Sequence, residues 1–190
     1  MSEALATLPG PALGLLELES IARGFITADA VVKRAPVLLA QAEAITPGKY
    51  LLVFSGGVAE VEEAFAAGVE TAGAALLDKL MLPYAHEALV DALAGRFAAG
   101  GALESVGVVE THTVASALLA ADTALKRADV LLTRIHLARG IGGKGYFTLA
   151  GSLHMLEAAL EAAAQAVAPH LLVATELLHR PHPELKGPVL

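Results

Sequence analysis

The chain has 190 residues, with 20 acidic side chains against 13 basic ones and a formal charge of -7, and its positive residues cluster only in two short Lys-Arg pairs. A general nucleic-acid binder needs a clustered positive face, so that class is excluded. Hydrophobic residues make up 55% of the chain, yet every apolar run is broken by Pro, Gly, Glu or His short of the about 18 to 20 residues of a membrane span. There is no cysteine, hence no disulfide, thiolate nucleophile or cysteine-ligated metal.

The apolar excess points to surface buried in an obligate oligomer. Residues 1–10 read as an N-terminal extension. They lack a basic segment followed by an apolar core, so no secretion signal is expected and a cytoplasmic protein is the default. Leu13 to Leu18 is a strand-length apolar run interrupted by Glu17. Thr27 to Ala35 reads as a short helix with Thr27 as its cap. Val37 to Ile45 and Tyr50 to Ser55 are predicted strands flanking a Thr46-Pro47-Gly48 turn. From Val58 to Ala72, apolar residues at 58, 61, 65 and 69 alternate with Glu60, Glu62, Glu63 and Glu70, the pattern of a helix with one buried face. Leu76 to Leu82 closes the unit as a fourth strand. The order β-α-β-β-α-β is the ferredoxin-like α+β arrangement, an antiparallel four-stranded sheet with both helices on one face.

The unit then repeats. LGLLELESIARGFITADAVVKRAPVLL from Leu13 aligns with VGVVETHTVASALLAADTALKRADVLL from Val106 at an offset of 93, and TPGKYLLVFSG (46–56) aligns with GIGGKGYFTLAG (140–151) at an offset of 95. The chain therefore divides into a first domain at 11–95, a linker at 96–102 rich in Gly and Ala, and a second domain at 103–190.

Within the second copy, Gly140-Ile141-Gly142-Gly143-Lys144-Gly145 matches the dinucleotide fingerprint G-x-G-x-x-G. That motif works only where the glycines open a helix. Here Tyr146-Phe147-Thr148-Leu149 follows as a strand, so the glycines read as a hairpin turn. The Walker pattern fails because Gly145 stands where Ser or Thr must bind magnesium. The seven histidines contain no H-E-x-x-H and read as surface or interface residues, and no serine sits in a G-x-S-x-G elbow. Glu17 and Glu110 hold matching strand positions, which suggests a structural carboxylate accepting backbone or lysine hydrogen bonds at a subunit contact, with acid-base catalysis the lesser alternative. Lys33-Arg34 and Lys126-Arg127 end the first helix of each copy and complement its dipole by roughly 0.3–1 kcal/mol.

Together these segments resemble the bacterial microcompartment shell proteins, in the tandem-domain class that forms trimers, and RIHLARGIGGKGYFTLAG is similar to the T-type members associated with propanediol utilisation. The resemblance covers almost the whole chain. It implies a homotrimer of tandem BMC domains that imitates a hexamer: a non-catalytic, pseudohexagonal tile of a cytoplasmic microcompartment shell, without cofactor, whose partners are other shell hexamers and pentamers. It places Ile45, Thr46, Pro47, Gly48, Arg139, Gly140, Ile141, Gly142 and Gly143 around a central pore for small metabolites. It maps the family's edge lysine onto Lys33 and Lys126, and its edge motif onto Arg180-Pro181-His182. The first copy departs from that motif, reading Leu82-Pro83-Tyr84-Ala85-His86.

Some T-type relatives hold an iron–sulfur cluster on the axis through a cysteine where this chain has Thr46, and threonine supplies no thiolate. Both copies begin from the same strand, which implies a single-layer disc and not the stacked class with permuted halves. The alternative function is a discrete trimeric ligand-binding or regulatory protein on duplicated ferredoxin-like domains.

Overall fold

The computed structural model describes residues 10–97 and 104–185. The extension at 1–9 and the linker from residue 98, with the second domain's expected start at 103, lie outside the described residues. The first unit runs β1 (Ala12–Leu18), α1 (Ile21–Arg34), β2 (Leu38–Ile45), β3 (Lys49–Gly56), α2 (Val58–Ala72) and β4 (Leu76–Leu82). After a short helix α3 (Glu87–Leu93), the second runs β5 (Ser105–Thr111), α4 (Val114–Arg127), β6 (Leu131–Leu137), β7 (Gly145–Gly151), α5 (Leu153–Ala166) and β8 (Leu172–His179).

Each unit folds into an antiparallel sheet, ordered β2-β3-β1-β4 in the first and β6-β7-β5-β8 in the second. The duplication extends to the irregularities. Register shifts fall at Glu17/Leu18 and Glu110/Thr111, and again at Leu39/Gln41 and Leu132/Arg134. Both halves thus have the unpermuted β-α-β-β-α-β order expected from sequence. A strand follows the glycine run, since Tyr146 to Leu149 lies inside β7, so the fingerprint is a hairpin.

Two expectations need correction. The first helix begins at Ile21, not near Thr27, and its cap is Ser20, whose side chain accepts from Arg23 N–H at 3.2 Å. Thr27 instead sits fully buried in mid-helix, with its hydroxyl unpartnered. The buried face of α1 is Gly24, Thr27, Ala28 and Val31, mostly small or polar residues that hide the helical period from a hydrophobicity reading. Helix α3 was not anticipated at all. Its Leu89, Ala92 and Leu93 are buried at i, i+3, i+4 spacing, and it packs against β6 and α4 of the other half.

Inside the first half, Leu16, Leu18, Tyr50, Leu52 and Phe54 on one face of the sheet bury Ala28 and Val31 of α1 and Val61 and Ala64 of α2. The two halves solve the same contact with residues of different size. A Cβ on Gly24 would lie 2.2 Å from Tyr50 Cγ, whereas in the second half the counterparts are Ala117 and Gly145, and there a Cβ on Gly145 would lie 2.6 Å from Ala117 Cβ. Space given up on the helix in one copy is given up on the strand in the other.

Gly24→Ala should therefore destabilise the fold by about 1–2 kcal/mol in urea unfolding, because overpacking against the rigid root of Tyr50 outweighs the gain of roughly 1 kcal/mol in helix propensity. An unchanged midpoint would show that the helix can back away.

Candidate functional site

A sheet has two faces, and the outer face of the first sheet is covered by the second domain. Leu13 and Leu15 from β1 and Leu51 and Val53 from β3 belong to one buried cluster with Leu89 and Leu93 of α3 and Val114, Leu118 and Leu125 of α4. Polar contacts lock α4 onto that face at both ends. At its start, the fully buried Glu17 accepts from Ala115 N–H through Oε1 at 2.9 Å, and the Thr113 hydroxyl donates to Asp78 Oδ2 at 2.6 Å. Toward its end, Asp122 Oδ1 accepts from His86 N–H at 2.8 Å, and Lys126 Nζ donates to the Tyr84 carbonyl at 2.6 Å and to Asp122 Oδ2 at 2.6 Å.

Glu17 thus satisfies one of the orphan donors of a buried helix N-terminus. The contact joins the two domains of one chain, where sequence pointed to a contact between subunits. Lys49 Nζ stands 3.8 Å from Glu17 Oε2, an oxygen without a hydrogen-bond partner. Burial pushes the carboxyl up from 4.5 to about 7, against the opposing pull of the Ala115 N–H and the Lys49 charge.

The same seam brings the two hairpin turns together. Arg139 Nη2 donates to Glu43 Oε1 at 2.5 Å, and Gly140 N–H donates to the Thr46 hydroxyl at 3.1 Å. Gly143, at φ +85°, lies so close to the first hairpin that a Cβ there would come 3.2 Å from the Thr46 carbonyl. Thr46, Pro47 and Gly48 are exposed at one tip, and Arg139, Gly140 and Gly142 at the other. Two of the expected pore residues differ: the Ile45 side chain is buried in the core beneath the turn, and Gly143 is buried against the first hairpin, while Ile141 is half-buried.

The residues assigned to the border are spread out. Lys33 is exposed and bound to Asp29 at 2.6 Å, while Lys126 closes the seam as described. Arg180 and His182 follow β8 on the surface; Arg180 N–H donates to the Glu104 carbonyl at 2.9 Å and His182 Nδ1 accepts from Glu184 N–H at 3.2 Å. Sequence reasoning missed Glu43, Asp78, Thr113 and Asp122, each of which acts across the seam. Only Asp122 carried a signal, in its repetition of Asp29.

Comparison with known proteins gives a consistent result. The BMC domain model matches twice, over residues 12–85 and 105–181. The chain is 41% identical over 172 residues to the bacterial microcompartment shell protein PduT of Citrobacter freundii, covering 90% of this chain and 93% of that one. A solved microcompartment protein from Desulfitobacterium hafniense superposes with a TM-score of 0.84 at 36% identity, covering 92% of this chain and 97% of the other. The fused permuted hexameric shell protein of the RMM microcompartment shares the fold at a TM-score of 0.62 and 20% identity, over 83% of this chain and 81% of that one.

The raised pKa of Glu17 fixes the sign of a pH effect. The folded state holds this proton more tightly than the unfolded chain between pH 4.5 and about 7, so stability falls as pH rises through that window and the full cost, about 3 kcal/mol, is present above it. Urea midpoints at fixed protein concentration should show this slope, and Glu17→Gln should flatten it. A slope of the same size in the variant would place its origin elsewhere.

Proposed function

The chain belongs to the BMC domain family, as a microcompartment shell protein of the tandem-domain type, and on that premise we propose that three copies close into a flat pseudohexagonal tile. The observation that carries the reading is the meeting of the two hairpins. Glu43–Arg139 and Thr46–Gly140 hold both tips side by side at one end of the seam. Cyclic symmetry turns one such pair into a ring of six loops around an axis. Thr46, Pro47, Gly48, Arg139, Gly140, Ile141 and Gly142 line that opening, while Ile45 in the core and Gly143, buried against the first hairpin, support it from behind.

The opening carries polar hydroxyls and backbone N–H groups, suited to small polar metabolites. Thr46 is a hydroxyl already engaged by Gly140 N–H and a hard, neutral donor, so the loop does not fit an iron–sulfur cluster. The tile has no catalytic role. Domain limits at 11–95 and 103–190 follow the repeat.

At the border, Lys33 and Lys126 end equivalent helices, and with Arg180 and His182 they form the edge that meets neighbouring tiles of the shell within the cell. Exposed pairs of this kind contribute about 0–1 kcal/mol each. A tile meets several neighbours at once, so modest contacts sum to a stable sheet. Both halves share one strand order, which supports a single-layer disc.

The test is light scattering followed by negative-stain electron microscopy, alone and with a hexameric shell partner. Particles near three times 19.4 kDa that enter sheets or closed shells are expected. Trimers that remain discrete with every partner would favour the ligand-binding alternative. Lys33→Ala with Lys126→Ala should keep the trimer and impair sheets; sheets of normal extent would remove both residues from the edge.

A further inference from the structure

We infer that the cleft between β2, α3 and β6 binds a short-chain carboxylate, with Arg139 and Gln41 at its polar head and an apolar floor along its tail. The site lies within one chain and needs nothing from the ring.

The cleft opens at the seam beside the paired hairpins and encloses about 240 Å³. At the roughly 30 Å³ that one water takes in the liquid, this is room for about eight non-hydrogen atoms, the size of an acid of about six carbons. Its floor is apolar. Ala92 and Leu93 of α3 are each 6% exposed and Leu137 of β6 is 8% exposed, with half-buried Ile135 beside them. The rest of the lining is polar, from Gln41, His136 and Arg139. An apolar wall with a few placed polar groups is the make-up of a small-molecule site.

The polar end favours an anion. Arg139 turns Nε and Nη2 to Glu43 Oε1 at 3.2 and 2.5 Å, and its Nη1 has no partner among the described residues. A planar guanidinium grips a carboxylate through two parallel N–H groups, and Nη1 with the second hydrogen of Nη2 keeps such a fork open. Gln41 makes no hydrogen bond among the described residues. Its Oε1 is buried and unpaired, so the amide N–H groups are the end left for a ligand oxygen. Both groups donate, and one carboxylate answers both.

The backbone is bent to put Arg139 there. Ala138 has φ +58°, in the left-handed region that favours glycine, and Arg139 N–H closes a three-residue turn around it onto the Leu137 carbonyl at 2.8 Å. Such strain persists only where the surroundings over-determine it, and it gathers at ligand clamps. Here His136 does the holding. Its Nε2–H donates to the Arg139 carbonyl at 2.6 Å, and its ring stacks on Tyr146 at a centroid distance of 5.3 Å.

The cleft is made once per chain. At the offset of 93, Gln41 and Glu43 become Arg134 and His136, and Ile45, the counterpart of Ala138, lacks the positive φ. Helix α3 has no twin among the described residues after β8, where a single tight turn at Pro183–Leu185 follows. Tiling asks for equivalent edges in both halves; a polar cluster confined to one side of the repeat answers a different requirement. Arg139 also has two claims on it. Its bond to Glu43 joins the hairpins, so Glu43 is the internal rival of the ligand, and removing that rival strengthens binding.

The test titrates the whole chain, labelled at Ile and Leu methyl groups, with sodium pentanoate at neutral pH and follows the methyl resonances. Saturable shifts at Ile135 and Leu93 with a Kd on the order of 1 mM are expected for so small a ligand. Pentanol and pentylammonium should bind roughly tenfold more weakly, since neither offers the guanidinium a paired acceptor. The chain carries a formal charge of -7, so anions gather on it only at a local site.

Two variants separate direct contact from a disturbed hairpin, because both break the Glu43 bond. Arg139→Gln should weaken pentanoate by about tenfold, whereas Glu43→Gln should tighten it by about threefold, the worth of an exposed pair. Arg127→Gln, at an exposed cation ending α4, should change nothing. Absence of saturable shifts at Ile135 and Leu93 would overturn the site, and equal binding of pentanol would overturn the carboxylate. Weaker binding in both Arg139→Gln and Glu43→Gln would remove the guanidinium as anchor. Particle mass is unmoved by any of these results, so the tile stands or falls separately.

Discussion

Everything distinctive in this chain follows from the two-sidedness of a β-sheet. Helices α1 and α2 cover one face of the first sheet, and the other face is as apolar as the first, so it needs a second layer of cover. The second domain supplies it through α4, with α3 wedged alongside. Fully burying one large aliphatic side chain stabilises by roughly 1.5–3 kcal/mol, and Val114, Leu118 and Leu125 all lie in this seam. Solving the problem for the first sheet sets it again for the second, whose Val108 and Tyr146 are only half-buried within one chain.

Apolar cover brings a polar cost. A helix laid along a sheet with its first turn buried carries unpaired N–H groups out of water, and Glu17 is the compensating acceptor. The carboxylate is itself strained electrostatically, since desolvation outweighs the helix terminus and Lys49 in setting its pKa. A buried carboxylate is therefore better read as a determinant of register than as a source of stability. The exposed ion pairs, Lys33–Asp29 and Arg96–Asp91 among them, contribute little by comparison.

The two halves have diverged most where packing permits exchange and least where geometry does not. Gly24 with Tyr50 and Ala117 with Gly145 fill equivalent space in different ways. The hairpins differ more, by two residues, because a turn at the tip of two strands is free to lengthen. The longer turn reaches its opposite number through glycine: at φ +85° and within contact of the Thr46 carbonyl, position 143 admits no side chain without strain.

The amino-acid sequence by itself determined the duplication, the α+β class, the strand order, and the nature of the glycine run, because hydrophobic period and repeat offset are local properties written in residue order. It also favoured a structural role for the repeated strand acids, and for Glu17 the structure shows that role in the hydrogen bond from Ala115 N–H. It misplaced the start of α1, where the buried face is built from Gly, Thr and Ala, and it passed over α3, whose short apolar pattern has meaning only against β6. The tertiary structure alone decided which acids cross the seam, that Ile45 turns inward beneath its loop, and that one helix is covered while its twin is bare. Those facts depend on which surfaces meet, and two segments as alike as α1 and α4 differ in burial only because one of them has a neighbour within the chain.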